Sequence, residues 1–157
     1  MRSPFAEAAL KARARTFGEA ALRVQSAGTD AVRGRSAELR MHRAALSLDL
    51  SLEQHTAKPL TPDLVNNADL ILVMDHLNES TVLASFPGLA NKVRLLGSYA
   101  RSPRDGAEIP DPFLGDDSMA LECAQRINIA VDELCRSFRS PEQRLAPSIS
   151  FVDSAED

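Results

Sequence analysis

Strands that alternate with helices along the chain predict an α/β domain built on a parallel sheet. Three observations carry this expectation. Leu70-Ile71-Leu72-Val73-Met74 is continuously apolar, the pattern of a strand covered by helices on both faces. Residues 118–138 carry a helical stripe of Ala120, Cys123, Ala124, Ile127, Val131, Leu134 and Phe138 at i, i+3, i+4, i+7 spacing. Ser3-Pro4 and Thr61-Pro62 each place a capping residue directly before a proline, which marks two further helix starts.

The first helix is predicted over residues 4–17, with Ser3 as N-cap, Ala6, Ala9, Leu10 and Phe17 on one face, and Gly18 as the stop. A short strand over 21–25 leads into a turn at Ser26-Ala27-Gly28-Thr29, and residues 36–47 read as a helix with Leu39, Ala45 and Leu46 as its apolar material and several arginines on the outside. The helix begun at Thr61 ends at Asn66-Asn67. After the apolar strand, residues 78–86 form a helix stopped by Pro87-Gly88, and Val93-Arg94-Leu95-Leu96 is the next strand. A long loop over 97–117 holds three prolines and three glycines, and loops of that length in small domains are commonly functional. Residues 1–139 are thus expected to form one domain. Residues 140–157, polar, aperiodic and acidic at the end, read as a flexible tail.

Composition narrows the function. The 157 residues are 44% hydrophobic and 25% charged, enough for one globular core, and 18 basic against 22 acidic residues give a net charge of −4. That balance, without a long basic run, argues against a nucleic-acid or anionic-membrane surface. The longest apolar run is far short of a membrane span, and no signal peptide is visible, so a cytoplasmic location is expected. Cys123 and Cys135 lie twelve residues apart on one helix, about 18 Å along its axis, too far to bridge, and read as packing residues. His42, His55 and His76 are too scattered for a metal site, and no metal or cofactor is expected. Asp69 and Asp75 read as strand-end caps and turns, Tyr99 and Phe86 as packing.

The chemistry concentrates at Met1-Arg2-Ser3-Pro4. A helix start presents free N–H groups and the positive end of the helix dipole, and an arginine beside it adds planar donors suited to phosphate oxygens. With Ser26-Ala27-Gly28-Thr29, His55-Thr56-Ala57-Lys58-Pro59-Leu60-Thr61, Ala68-Asp69 leading into the apolar strand, and Glu108-Ile109-Pro110-Asp111-Pro112-Phe113 following in order, the chain resembles the bacterial low-molecular-weight protein-tyrosine phosphatases from Arg2 to about Phe138.

The resemblance implies a flavodoxin-like three-layer α/β/α fold. It implies a four-stranded parallel sheet in the order 2-1-3-4, with a C-x5-R-[ST] phosphate loop between the family's first strand and first helix. Arg2 and Ser3 match R-[ST], so Arg2 is expected to hold phosphate and Ser3 to support the nucleophilic thiolate. Asp111 matches the general acid that protonates the departing phenolate, and Phe113 would wall the substrate ring. The implied reaction is metal-free hydrolysis of phosphotyrosine through a phosphocysteine. The implied partners are phosphotyrosine proteins, bacterial tyrosine kinases among them.

The match has one departure. The cysteine of C-x5-R falls before Met1, and so does the family's interior first strand. No nucleophile is therefore assigned; Met1, a thioether, cannot serve. The expectation is an N-terminally truncated member, inactive in this form, whose true start with the first strand lies upstream; a genuinely shortened chain would instead have to repair the gap in its sheet by strand rearrangement or a partner chain. The alternative is a pseudophosphatase that binds phosphotyrosine without hydrolysing it. An arsenate reductase is disfavoured, because Pro4 follows Arg2-Ser3 and residues 75–95 hold no cysteine.

Overall fold

A computed structural model describes residues 1–15, 22–100, 106–138 and 148–153. In chain order these form α1 (Arg2–Ala14), β1 (Arg23–Gly28), α2 (Leu39–Leu46), α3 (Pro62–Asn66), β2 (Leu70–Val73), α4 (His76–Ser85), β3 (Val93–Leu95), α5 (Asp117–Phe138) and β4 (Ser148–Asp153), with short 3-10 turns at Pro87–Leu89 and Leu96–Tyr99. All four strands run parallel in the order β1-β4-β2-β3.

Side-chain alternation along these strands builds two cores, one on each face of the sheet. Leu72, Met74, Ile149 and Phe151 meet α1, α2 and α5 on one face, while Ile71, Val73 and Val152 pack with Val65, Val82 and Leu89 on the other. The result is the expected three-layer α/β/α arrangement, with the apolar β2 covered on both sides. Tyr99 packs against the first core and Phe86 against the second.

The element that sequence reasoning misplaced is β4. The expected tail contains, at 148–153, a strand with every residue buried, and the expected gap in the sheet is the slot this strand fills. It pairs with β1 from Arg23 opposite Ser148 to Gly28 opposite Asp153, and with β2 from Leu70 opposite Ile149 to Val73 opposite Val152. Both rows of backbone groups that would otherwise stand open in the dry centre are thereby paired. The physical reason is non-local: Ile149, Phe151 and Val152 suit a strand, but it is pairing with both β1 and β2 that buries this short run inside a polar stretch. The remaining residues of the expected tail, 139–147 and 154–157, lie outside the described residues.

β4 is an imperfect interior strand. Ser150 is fully buried and its hydroxyl has no hydrogen-bond partner. A buried polar group left without a partner costs about 1–3 kcal/mol, so Ser150→Ala is expected to raise stability by about 1 kcal/mol. Urea unfolding of the two proteins measures this, and a lower midpoint for Ser150→Ala would contradict it.

Element boundaries shift for identifiable reasons. α1 begins at Arg2, not Pro4, and Ser3 is inside its first turn; the predicted stop at Gly18 lies outside the described residues. β1 runs on through Ser26, Ala27 and Gly28, expected to be a turn, because β4 offers them a parallel partner. α2 starts at Leu39 because the Glu38 side chain accepts the Met41 N–H and caps it there. Thr61 caps α3 as predicted, and Asp75 caps α4 by accepting the Asn78 N–H at 2.7 Å.

Candidate functional site

The site forms where the C-terminal ends of the parallel strands meet the start of α1, the edge at which open α/β sheets bind ligands. Met1 precedes α1 without a side-chain cap. The first-turn N–H of Arg2 is taken instead by the Asp153 carboxylate, at 2.8 Å, from the far end of the chain. Asp153 is the last residue of β4, and its own carbonyl accepts the Thr29 N–H at 3.0 Å, which fixes the strand end. Gly28 makes this approach possible, since a Cβ there would stand 2.9 Å from the Ala31 Cβ and 3.3 Å from the Asp153 carbonyl oxygen.

The Arg2 guanidinium is buried, 1% exposed, and surrounded by acceptors. Nε donates to Asp153 at 3.2 Å and Nη2 at 2.6 Å; Nη2 also faces Asp111 at 3.2 Å and Asn78 Oδ1 at 3.3 Å. Nη1 reaches the Ile109 carbonyl at 2.5 Å and Asp75 at 2.8 Å. Three carboxylates therefore converge on one guanidinium, with the Met1 amine 3.3 Å from Asp153 as a second cation.

Burial opposes the charge on Arg2, but Asp153, Asp111 and Asp75 raise its pKa well above the ordinary value, so it is permanently charged. Burial likewise pushes against ionisation of Asp153, and the Met1 amine and Arg2 outweigh it, holding that carboxyl below the usual range. Asp111 goes the other way: burial raises its pKa, Arg2 pulls it down, and nearby Asp153 raises it again, with a net upward shift. A carboxyl so raised keeps its proton to higher pH, the property a general acid needs.

The loop carrying Asp111 is fastened at several points. The Ile109 N–H donates to the Met74 carbonyl at 2.8 Å, and the Phe113 N–H donates to the Asp111 carboxylate at 2.9 Å. Arg40 on α2 donates to the Phe113 carbonyl at 2.8 Å and also to the Gly115 carbonyl. Asp111 and Phe113 consequently share a cleft of about 450 Å³ with Ser3, Asp153, Arg35 and Lys58.

His55 lines the same cleft and stands 3.7 Å from the Glu7 carboxylate. For Glu7, burial works against ionisation, but His55, Lys11 and Ser26 together hold its pKa down at about 2.

Of the residues singled out from sequence, Arg2, Ser3, Asp111 and Phe113 are brought together. Asp153, Asn78 and the second role of Asp75 were missed. Asp75 does cap α4, as read, while its other oxygen binds Arg2. The signal for Asp153 was the short run Ile149-Ser150-Phe151-Val152 in front of it, hidden in a polar stretch. Cys123 and Cys135 are buried in α5, as expected, and neither lines the cleft; burial pushes the Cys123 thiol up to about 12. Among the described residues, no group of three or more His, Cys, Asp and Glu could hold a metal, and no helix is long and apolar enough to cross a membrane.

Comparison with known proteins bears on the family and the fold. The family model for low molecular weight phosphotyrosine protein phosphatases matches residues 1–144, a range that stops short of β4. The chain is 30% identical to the Acinetobacter johnsonii low molecular weight protein-tyrosine-phosphatase Ptp, over 83% of this chain and 84% of that protein. It is 36% identical to the Salmonella typhi low molecular weight protein-tyrosine-phosphatase Wzb, over 71% and 69%. It is also 28% identical to a Bacillus subtilis protein-arginine-phosphatase, over 88% and 89%. Among solved structures, the Erwinia amylovora tyrosine phosphatase amsI superposes with a TM-score of 0.77 at 28% identity, covering 87% of this chain and 84% of that one.

Proposed function

The chain belongs to the low molecular weight phosphotyrosine protein phosphatase family, and from that premise we propose that its cleft is a phosphoprotein site that does not turn the ester over in this 157-residue chain. The observation that carries the reading is the buried Arg2 guanidinium at the start of α1, in contact with Asp111 and Asp153, both of which line the cleft, with the Asp153 carboxylate rather than a thiol set against it.

In this reading Arg2 and the first-turn N–H groups are the ligands for phosphoryl oxygens, which fits a fork of fixed donors beside a helix start. Asp111 is the acid for the leaving oxygen. Its raised pKa supports that role, since a phenolate with a pKa of about 10 leaves far more readily when protonated. Phe113 offers its ring to an aromatic side chain, and Ser3 borders the phosphate position. Phosphocysteine chemistry needs a thiolate within reach of phosphorus. A thiol with a pKa near 12, buried in α5, does not supply one at neutral pH.

The ligand is a phosphotyrosine protein, with bacterial tyrosine kinases as natural candidates; the family's reaction is dephosphorylation, and binding without hydrolysis is the alternative that the assay separates from it. The test is hydrolysis of p-nitrophenyl phosphate and of phosphotyrosine and phosphoarginine peptides by the purified chain. The expected rate does not exceed that of an Arg2→Met control. Turnover well above that control would overturn the non-hydrolysing reading, and the better peptide would identify the substrate.

A further inference from the structure

We propose that Asp153 is an internal ligand of the oxyanion site, a carboxylate that the chain lays into the position of a phosphate and that an incoming phosphate must displace. The inference rests on the reading of Arg2 as the oxyanion ligand and goes beyond it in stating what governs access.

The contacts of Asp153 are those of a bound anion. Its carboxylate accepts the α1 first-turn N–H at 2.8 Å, takes the guanidinium through Nε at 3.2 Å and Nη2 at 2.6 Å, and lies 3.3 Å from the Met1 amine. Helix N–H, forked guanidinium and ammonium are the donor types that hold phosphate oxygens, and here all are occupied by one side chain. The carboxylate is 1% exposed in itself, yet it borders the open cleft with Ser3 and Asp111.

Charge sharpens the conclusion. Asp75 and Asp111 also sit against Arg2, at 2.8 and 3.2 Å. A phosphate dianion approaching without displacing Asp153 meets three carboxylates around one guanidinium, in a region too dry to screen them. Loss of the Asp153 charge removes the carboxylate closest to the donors and frees the helix N–H and two guanidinium N–H groups for an external ligand.

The strand that presents Asp153 is suited to release. It arrives from the C-terminal part of the chain rather than from the segment joined to α1, and it carries the partnerless hydroxyl of Ser150 in its middle. Asp153 is its terminal residue, and with the backbone held by the Thr29 N–H its carboxylate can turn off the donors while the register from Ser148 to Val152 stays intact.

The test compares the 157-residue chain with Asp153→Ser and Asp153→Asn, each titrated with inorganic phosphate and followed by calorimetry and by thermal midpoint. The wild-type chain is expected to show no saturable response at millimolar phosphate. Asp153→Ser is expected to bind about tenfold or more tightly than wild type, with a midpoint that rises with phosphate, and Asp153→Asn less strongly because its amide still fills the space. Adding Arg2→Met to Asp153→Ser should abolish the response. If either variant folds only in phosphate, that dependence supports the proposal. Equal binding by wild type and Asp153→Ser would overturn it, and so would folded variants that ignore phosphate or variants that stay unfolded in it. These outcomes are separate from the hydrolysis assay: turnover by wild type would refute the non-hydrolysing reading, whereas silent Asp153 variants would refute the internal ligand alone.

Discussion

Deleting residues 148–157 is expected to abolish the cooperative unfolding transition of the chain. β4 is interior, paired along its whole length with β1 and along four residues with β2. Its removal exposes two rows of backbone groups at the centre of the sheet and takes Ile149, Phe151 and Val152 out of the two cores. Each orphaned buried group costs about 1–3 kcal/mol, and several together exceed the roughly 5–15 kcal/mol by which a domain of this size is stable. Far-UV circular dichroism during a thermal scan reads the outcome. A truncated chain that melts cooperatively near the wild-type midpoint would show that the sheet closes without this strand.

Replacing Arg2 has the next largest expected effect. In Arg2→Met the guanidinium is lost while the buried Asp153 and the half-buried Asp75 and Asp111 remain, facing one another without their cation. Breaking a buried pair by removing one partner costs about 3–5 kcal/mol at neutral pH.

The pH dependence follows from the direction of the Asp153 shift. Its folded pKa lies below the unfolded value, so the stability it contributes is complete above the unfolded pKa of about 4 and is lost as pH falls through the folded value. In Arg2→Met the burial that works against the charge on Asp153 and Asp111 is no longer offset by the guanidinium, and the variant gains stability as pH falls and these two take up protons. The gap between the two proteins should therefore be widest at neutral pH and narrow toward about pH 4. Urea midpoints at neutral and acid pH measure it, and equal midpoints at neutral pH would contradict the role given to Arg2.

Much of the fold could be read from residue order because the relevant signals are local. The unbroken apolar run at 70–74 and the stripe from Ala120 to Phe138 mark β2 and α5, and Thr61-Pro62 marks the start of α3. The meeting of Arg2, Ser3, Asp111 and Phe113 was legible only through resemblance, since no spacing rule links residue 2 to residue 111.

What escaped was non-local. β4 is six residues long and alternates buried serines with Ile149, Phe151 and Val152, so its burial arises from the slot it enters and not from its own hydropathy. Asp153 could not be placed at the site until β4 was placed in the sheet, because 151 residues separate it in sequence from the arginine it binds. The start of α1 moved for the same reason: the Ser3 cap predicted from local chemistry gives way to a carboxylate from the opposite end of the chain.

The central claim is that residues 148–153 form the interior strand that delivers Asp153 to Arg2. Residue-resolved amide hydrogen exchange on the intact 157-residue chain tests it most directly. The amides of Ile149, Ser150, Phe151 and Val152 are expected to exchange as slowly as those of Ile71, Leu72 and Val73 in the neighbouring strand, because they lie in the same ladder. Exchange of 149–152 at the rate of an unstructured peptide, with β2 still protected, would contradict it.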